Sequence, residues 1–545
     1  MSISRRNALA LGGLSLLGAA GLTVPLGGGT QAKSVSRLAD RNFPRRYASA
    51  FVRQPLLQPV GTEDGQPLYE VTARRGSAQI CPGLTTPVHA YNGQVPGPLI
   101  KVEQGQPVKL RVRNHLPTAG PWGGEFAIST HLHGSASLPE HDGYASDLTR
   151  VGQFKTYEYP NSQAARTLWY HDHGLHWTAQ NAYGGLAAQY HLSDATERAL
   201  LPQGEFDVPL TVTDAMFNAN GSLAYDDSSH SGLWGDVVLV NGVAWPVMKV
   251  KRRTYRFRIL VASIARSYRW RLSNGLPLQV VATDGGLMPK GVALSSFRHA
   301  GSERYEVVVD FSKVPVGTRV ELQNLSNPNN VDYDHTGKVM QFEVVGDPVQ
   351  PDENGSYNRN YDGLELAPGN PVMTLQPTGS EKKVNLRVER SNGEWQINGK
   401  TWVDVEESRY RDVVANPAVG ETQVWTIQNS SGGWFHPLHV HLVDFKVIGR
   451  TGGSGTVQPQ ERGPKDVVYV GENETVQLLI RFGSPDPGAP AWERRQGRYM
   501  VHCHNLPHED HDMMQQFCVG DVDAEEDPHD PMGAAPAVPD PTYRG

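Results

Sequence analysis

Three passages of this chain read alike. "YNGQVPGPLIKVEQGQPVKLRVRN", "VNGVAWPVMKVKRRTYRFRIL" and "INGKTWVDVEESRYRDVVANPAVGETQVWTIQN" each set an Asn-Gly pair ahead of an apolar residue, a turn and an alternating strand. The pairs Asn92-Gly93, Asn241-Gly242 and Asn398-Gly399 are 149 and 157 residues apart, the length of one domain. Solenoid units are far shorter, so the repeat marks tandem domains. The alternating runs from Val108 to Val112, Tyr255 to Ile259 and Gln423 to Ile427 predict strands with one face in a core and the other in water. With 57 Gly and 39 Pro in 545 residues, many short strands joined by turns are expected. The reading is therefore all-β, with three β-sandwich domains at 46–195, 205–347 and 373–522. A polar Pro/Asn/Gly-rich linker at 348–372 precedes the third.

The two ends differ from the body. In "SISRRNALALGGLSLLGAAGLTVPLGG", Arg5-Arg6 precede an apolar, glycine-diluted run from Ala8 to about Leu26, with a cleavage point after Ala32. Residues 1–32 read as a twin-arginine export signal, the competing reading being an uncleaved membrane anchor. A soluble mature chain outside the cytoplasm, periplasmic or extracellular and exported already folded, is expected, with no membrane partner once the signal is removed. The tail 523–545 is acidic and proline-rich and is expected to be loosely ordered. The net charge of -7, with basic residues scattered, excludes a nucleic-acid footprint. Small-molecule partners and a monomer are expected.

Half of the 20 histidines fall in four short clusters: "HLHG" (His131, His133), "WYHDHG" (His171, His173), "HPLHVH" (His436, His439, His441) and "HCHNLPH" (His502, His504, His508). Side chains on a strand alternate between faces, so parity decides which donors can meet. His131, His133, His171, His173, His439, His441, His502 and His504 fall in frames that can converge on one site. His436 and Cys503 point the other way and, with His508 and Met513, can form a second. Two imidazoles, a thiolate and a distant thioether are the donor set of a blue-copper electron-transfer centre, whereas structural zinc asks for more thiolates. Eight neutral imidazoles suffice for three copper ions with positions open to a small oxidant. The backbone at Cys503 joins the two sites through His502 and His504. A single HxH would be a surface zinc site or a coincidence; four clusters with a cysteine in frame are neither. His89, His115, His141, His176, His191, His230, His299, His335, His511 and His529 lack a partner in frame and read as structural or surface residues, His511 being near enough to touch the site. The middle domain carries none of the pattern and reads as a spacer and wall.

On these residues the chain resembles the three-domain multicopper oxidases over nearly its whole mature length. "ARTLWYHDHGLHWTAQNAYGGLAAQY", "GGWFHPLHVHLVDF" and "HCHNLPHEDHDMM" are most similar to the bilirubin oxidase and bacterial spore-coat laccase branch. The resemblance implies three cupredoxin-like Greek-key β-sandwiches and four copper ions. His436, Cys503, His508 and Met513 would hold type 1 copper, and His131 and His439 type 2. His133, His171 and His504 would hold one type 3 ion, and His173, His441 and His502 the other. It further implies one-electron oxidation of an aromatic or tetrapyrrole reductant near His508, coupled to four-electron reduction of O2 to water. Asp142 and Glu509 match acidic residues that deliver protons in the family, the alternative being plain surface carboxylates. Met513, ten residues after Cys503, is preferred to Met514 as the axial donor and departs from the Leu or Phe of high-potential fungal laccases. Trp434 is either a neighbour of the type 1 site or an ordinary core aromatic.

Three points stay open in the sequence. Cys81 and Cys518 could pair across the first and third domains or remain two buried thiols. A cuprous oxidase is the rival enzyme, but such relatives carry methionine-rich inserts and this chain has ten Met with only Met513 and Met514 adjacent. A non-enzymatic exported scaffold is the third reading, against which stands the full set of donors.

Overall fold

A computed structural model describes residues 35–122, 126–346, 353–520 and 535–544. The expected export signal at 1–32 lies outside the described residues, as does the first part of the tail. The described chain is all-β, with three sandwiches each built from two sheets.

The Asn-Gly repeat shows its purpose in the backbone. Asn92, Asn241 and Asn398 have φ of 55°, 48° and 57°, and their glycines 68°, 78° and 73°. Two successive left-handed residues are what Asn-Gly tolerates best. Each asparagine then plugs into an earlier strand. Its Oδ1 accepts from the N–H of Thr72, Thr211 or Arg387, and its own N–H donates to the same residue's carbonyl. In every copy that strand runs parallel to the one after the turn: Gln66–Ala78 with Val108–His115, Asp207–Ala215 with Thr254–Val261, and Lys382–Ser391 with Thr422–Asn429.

The alternation holds in the first and third copies but not in the second. Thr254–Val261 is buried throughout. Its polar face carries Arg256 and Arg258, which pair with Glu197, Asp207 and Glu306, and Arg258 also reaches Thr167 of the first domain. This face meets the neighbouring domain rather than water, and buried charges survive there because each is paired.

The first sandwich sets a sheet containing Thr130–His133 and Arg166–Asp172 over the sheet of Gln66–Ala78, with Val71, Leu110, Tyr170 and Tyr190 between them. In the third, His436–Val440 and Gly497–Cys503 are neighbours in a four-stranded sheet, and Trp425, Leu438, Phe517 and Cys503 share its core. Every histidine cluster therefore begins in, or directly after, a strand buried at a domain face.

One open point is settled and one expectation changes. No disulfide joins Cys81 to Cys518: both are buried thiols, and Cys81 packs in the core of the middle sandwich, beside Ile80 and Val208. The far end of the tail is not loose. Val538–Pro539 adds to the edge of Gln153–Tyr159, and Asp540 takes Arg113 at 2.8 Å and His115 at 2.7 Å. The described part of the linker packs too, burying Tyr361 and Leu366 against Leu201 and Val281. No described helix is long and apolar enough to cross a membrane.

Candidate metal centres

Strand register brings the first group together. His131 lies opposite His171 and His439 opposite His502, while His173, His441 and His504 follow directly as the strands end. All eight imidazoles are buried. His173 and His441 each bring Nε2 to 3.1 Å from Nε2 of His502. The His133 and His439 rings stack at 3.7 Å, His131 lies 4.0 Å from His441, and His504 lies 5.1 Å from both His133 and His171.

The outward nitrogens are held from behind. Asp142 accepts from His131 through its carbonyl and from His441 Nδ1 through Oδ2 at 2.8 Å. His171 Nδ1 donates to the Asp172 carbonyl and His439 Nδ1 to the Asp466 carbonyl, at 2.7 and 2.8 Å. Glu509 lies 2.8 Å from His502 Nδ1 and 3.5 Å from His173 Nδ1. The inward nitrogens are left over. Nε2 of His131, His171, His439 and His504 and Nδ1 of His133 are buried without a hydrogen-bond partner among the described residues. A buried polar atom without a partner is costly, and neutral lone pairs aimed at one another repel. Metal ions answer both problems, and carboxylate-backed imidazoles are their usual donors.

Burial sets the protonation. It pushes the His171 and His173 imidazoles down to about 3 and about 4, so both are neutral donors at neutral pH. It pushes the Asp142 carboxyl well above the usual range. For Glu509 burial acts upward too, but His502 and His173 outweigh it and bring the carboxyl down to about 2.

The second group sits on the other face of the same strand. Cys503 Sγ lies 3.3 Å from His436 Nδ1 and 3.6 Å from His508 Nδ1, and the two Nδ1 atoms are 3.3 Å apart. His508 comes from the short helix Leu506–Asp510, which turns the chain back under the thiol. The Asn505 N–H donates to the sulfur at 3.4 Å. The outer nitrogens meet Ser431 Oγ at 2.8 Å and the Ser231 carbonyl at 3.0 Å. Burial pushes His436 down to about 3 and the Cys503 thiol up, so a thiolate here needs a cation beside it.

Multicopper oxidase profiles match residues 72–196 and 376–523. Bilirubin oxidase of Albifimbria verrucaria is 40% identical over 487 residues, covering 86% of this chain and 79% of that protein. Laccase of Bacillus subtilis strain 168 is 31% identical over 530 residues, covering 87% and 99%. The crystal structure of the McoA multicopper oxidase from Aquifex aeolicus superposes with a TM-score of 0.71 at 28% identity, covering 86% of this chain and all of that one. The chain belongs to the multicopper oxidase family.

Copper is thus the metal that this multicopper oxidase's donors are to be judged against, and imidazole with thiolate suits it. Met513 shares the third-domain core with Cys503, whereas Met514 packs in a separate cluster with Tyr144, Trp402 and Met500. Trp434 touches the site, edge-on to His508 at 5.7 Å. Sequence reading missed its larger neighbour: Trp395 stacks on His508 at 3.7 Å. It also missed Asp466, whose carboxylate meets His133 Nε2 at 3.1 Å, and the middle domain's part in both sites through Ser231 and Arg304. That domain is more than a spacer. Burial raises the Asp466 carboxyl, and the Arg304 guanidinium pulls against it. His511 stacks on His230 at 3.5 Å and lies 3.4 Å from Asp227. Only a sequence pattern linking distant residues could have revealed Trp395, Asp466 or Arg304, because none sits in a histidine cluster.

Proposed function

We propose that the protein oxidises phenolic or bilirubin-like molecules one electron at a time and reduces O2 to two waters, using four copper ions. His436, Cys503, His508 and Met513 would hold the type 1 ion. His131 and His439 would hold type 2, His133, His171 and His504 one type 3 ion, and His173, His441 and His502 the other. Bound copper supplies one-electron redox chemistry at the first site and a place for O2 at the second.

The protein's own residues do the rest. Cys503 belongs to one donor group while the adjacent His502 and His504 belong to the other, so two peptide bonds connect electron entry with O2 reduction. This is the observation that carries the reading. His508, flanked by Trp395 and Trp434, marks the side from which a planar reductant delivers its electron. Burial of the eight imidazoles keeps bulk water off the second site. Asp142 and Glu509 contact imidazoles on opposite flanks and are placed to hold and pass the protons that O2 reduction consumes. The bilirubin oxidase and laccase relatives support this substrate class.

The methionines weigh against a cuprous oxidase. Among the described residues Met216, Met248, Met288, Met340, Met500, Met513 and Met514 are buried and Met373 is half-buried, so no exposed thioether set awaits Cu(I). The paired arginines and apolar run at the N-terminus support export by the twin-arginine route to the periplasm or beyond, with the mature protein acting as a monomer. Oxygen uptake by copper-loaded protein tests the function. kcat/KM should be high for bilirubin or a dimethoxyphenol, with no peroxide released; turnover of Cu(I) alone would overturn the substrate class.

A further inference from the structure

Arg304 opens the strand Arg304–Asp310 of the middle domain and is fully buried. Its fork grips Asp466 of the third domain, Nη1 to Oδ1 at 2.7 Å and Nη2 to Oδ2 at 2.5 Å. Its Nε donates to the Thr167 carbonyl of the first domain at 3.0 Å. One guanidinium thus ties three domains together beside the imidazole cluster.

Asp466 faces two imidazoles in opposite senses. Its carbonyl accepts from His439 Nδ1 at 2.8 Å, and its Oδ1 lies 3.1 Å from His133 Nε2. A neutral imidazole carries one proton. With that proton on Nε2, the only lone pair of His133 is on Nδ1, which is buried and unpartnered. The other seven imidazoles of the cluster turn Nε2 inward. His133 is the reversed one, and the reversal needs an acceptor fixed behind it. The bidentate fork prevents the Asp466 carboxylate from rotating away.

Gly134 adds an independent observation. It has φ of 88°, and a Cβ there would lie 2.5 Å from Arg304 Nη2 and 2.6 Å from Asp466 Oδ2. The glycine that follows the two histidines in "HLHG" leaves room for this ion pair.

We infer that Arg304 and Asp466 are a positioning pair that fixes His133 as its Nε2–H tautomer, so that this imidazole offers Nδ1 to copper, and that Gly134 keeps the space the pair occupies. The copper part rests on the proposed function above; the tautomer part does not.

Nitrogen-15 spectra of histidine-labelled, metal-free protein test the tautomer, with the resonance lost in His133→Gln serving as the assignment. The wild type should show His133 as Nε2–H. Arg304→Met and Asp466→Ala should convert it to a mixture with Nδ1–H, and Arg304→Lys, which keeps the charge but not the fork, should lie between. After loading, copper at the cluster should be held about 10–100-fold more weakly in Arg304→Met and Asp466→Ala, as for other residues behind a metal ligand, with the blue absorption retained. An Nδ1–H tautomer in the wild type, or an unchanged one in both variants, would overturn the inference. So would loss of the blue absorption in step with the cluster copper, since the pair would then hold the fold and not one ring. A wild type that binds no copper at the imidazoles would instead sink the proposed function and leave the tautomer result standing.

Discussion

The two donor groups lie on opposite faces of one strand, yet they are built differently. The Cys503 group takes every donor from the third domain and backs its imidazoles with neutral partners, Ser431 Oγ and the Ser231 carbonyl. The eight-imidazole group needs two domains for its donors and a third for Arg304, and it is backed by the carboxylates of Asp142, Glu509 and Asp466. The difference follows from charge. A copper ion beside a thiolate would already have its counter-charge among the atoms that hold it. Neutral imidazoles bring none, so the negative charge must stand behind them. Two of these carboxylates, Asp142 and Glu509, are also the groups proposed above to deliver protons, which an electron-transfer site does not need.

The largest effect that would break this contrast is at Glu509. Glu509→Gln should lower kcat for oxygen uptake by about 10²-fold, in the range for a lost proton-transfer group, and alter its pH profile. The blue absorption should stay unchanged. An effect on colour and turnover together would mean that the two sites are not separately supported.

Next comes the pH dependence of the metal-free protein. His171 and His436 are pushed to about 3 and His173 to about 4, against an ordinary 6.5. Below 6.5 the unfolded chain takes up protons that the folded one refuses, so stability is present above 6.5 and falls as the pH drops towards 3. The denaturant midpoint of metal-free protein should therefore be lower at pH 5 than at pH 7. Equal midpoints would show that the imidazoles are not buried as neutral donors.

The smallest effect sharpens the Cys503 group alone. Met513→Leu should raise the reduction potential of copper bound at the Cys503 group, while Met514→Leu, in a different cluster, should leave it where it was. The reverse result would make Met514 the thioether that copper there would meet.

Most of this architecture was legible in the chain because it is carried locally. The Asn-Gly turns are written in two adjacent residues each, and strand parity alone separates His436 and Cys503 from His502 and His504. What escaped was carried by contacts between distant segments. The alternating strand at Thr254–Val261 announces a wet face, and nothing nearby tells that Arg256 and Arg258 are buried in ion pairs instead, with Arg258 reaching Thr167 of the first domain. Trp395 lies far from any histidine cluster, and Asp466 acts on His133 across 333 residues. Asp540 docks on Arg113 and His115 although its surroundings have the composition of a loose tail.

The central claim is that Cys503 divides the two sites while its backbone connects them. Copper content and absorption of Cys503→Ser, set beside the wild type, test it most directly. The account predicts four copper ions per chain in the wild type, and three in the variant, which should lose the blue absorption and keep the cluster's spectrum. A variant that lost the cluster copper together with the blue centre would contradict it.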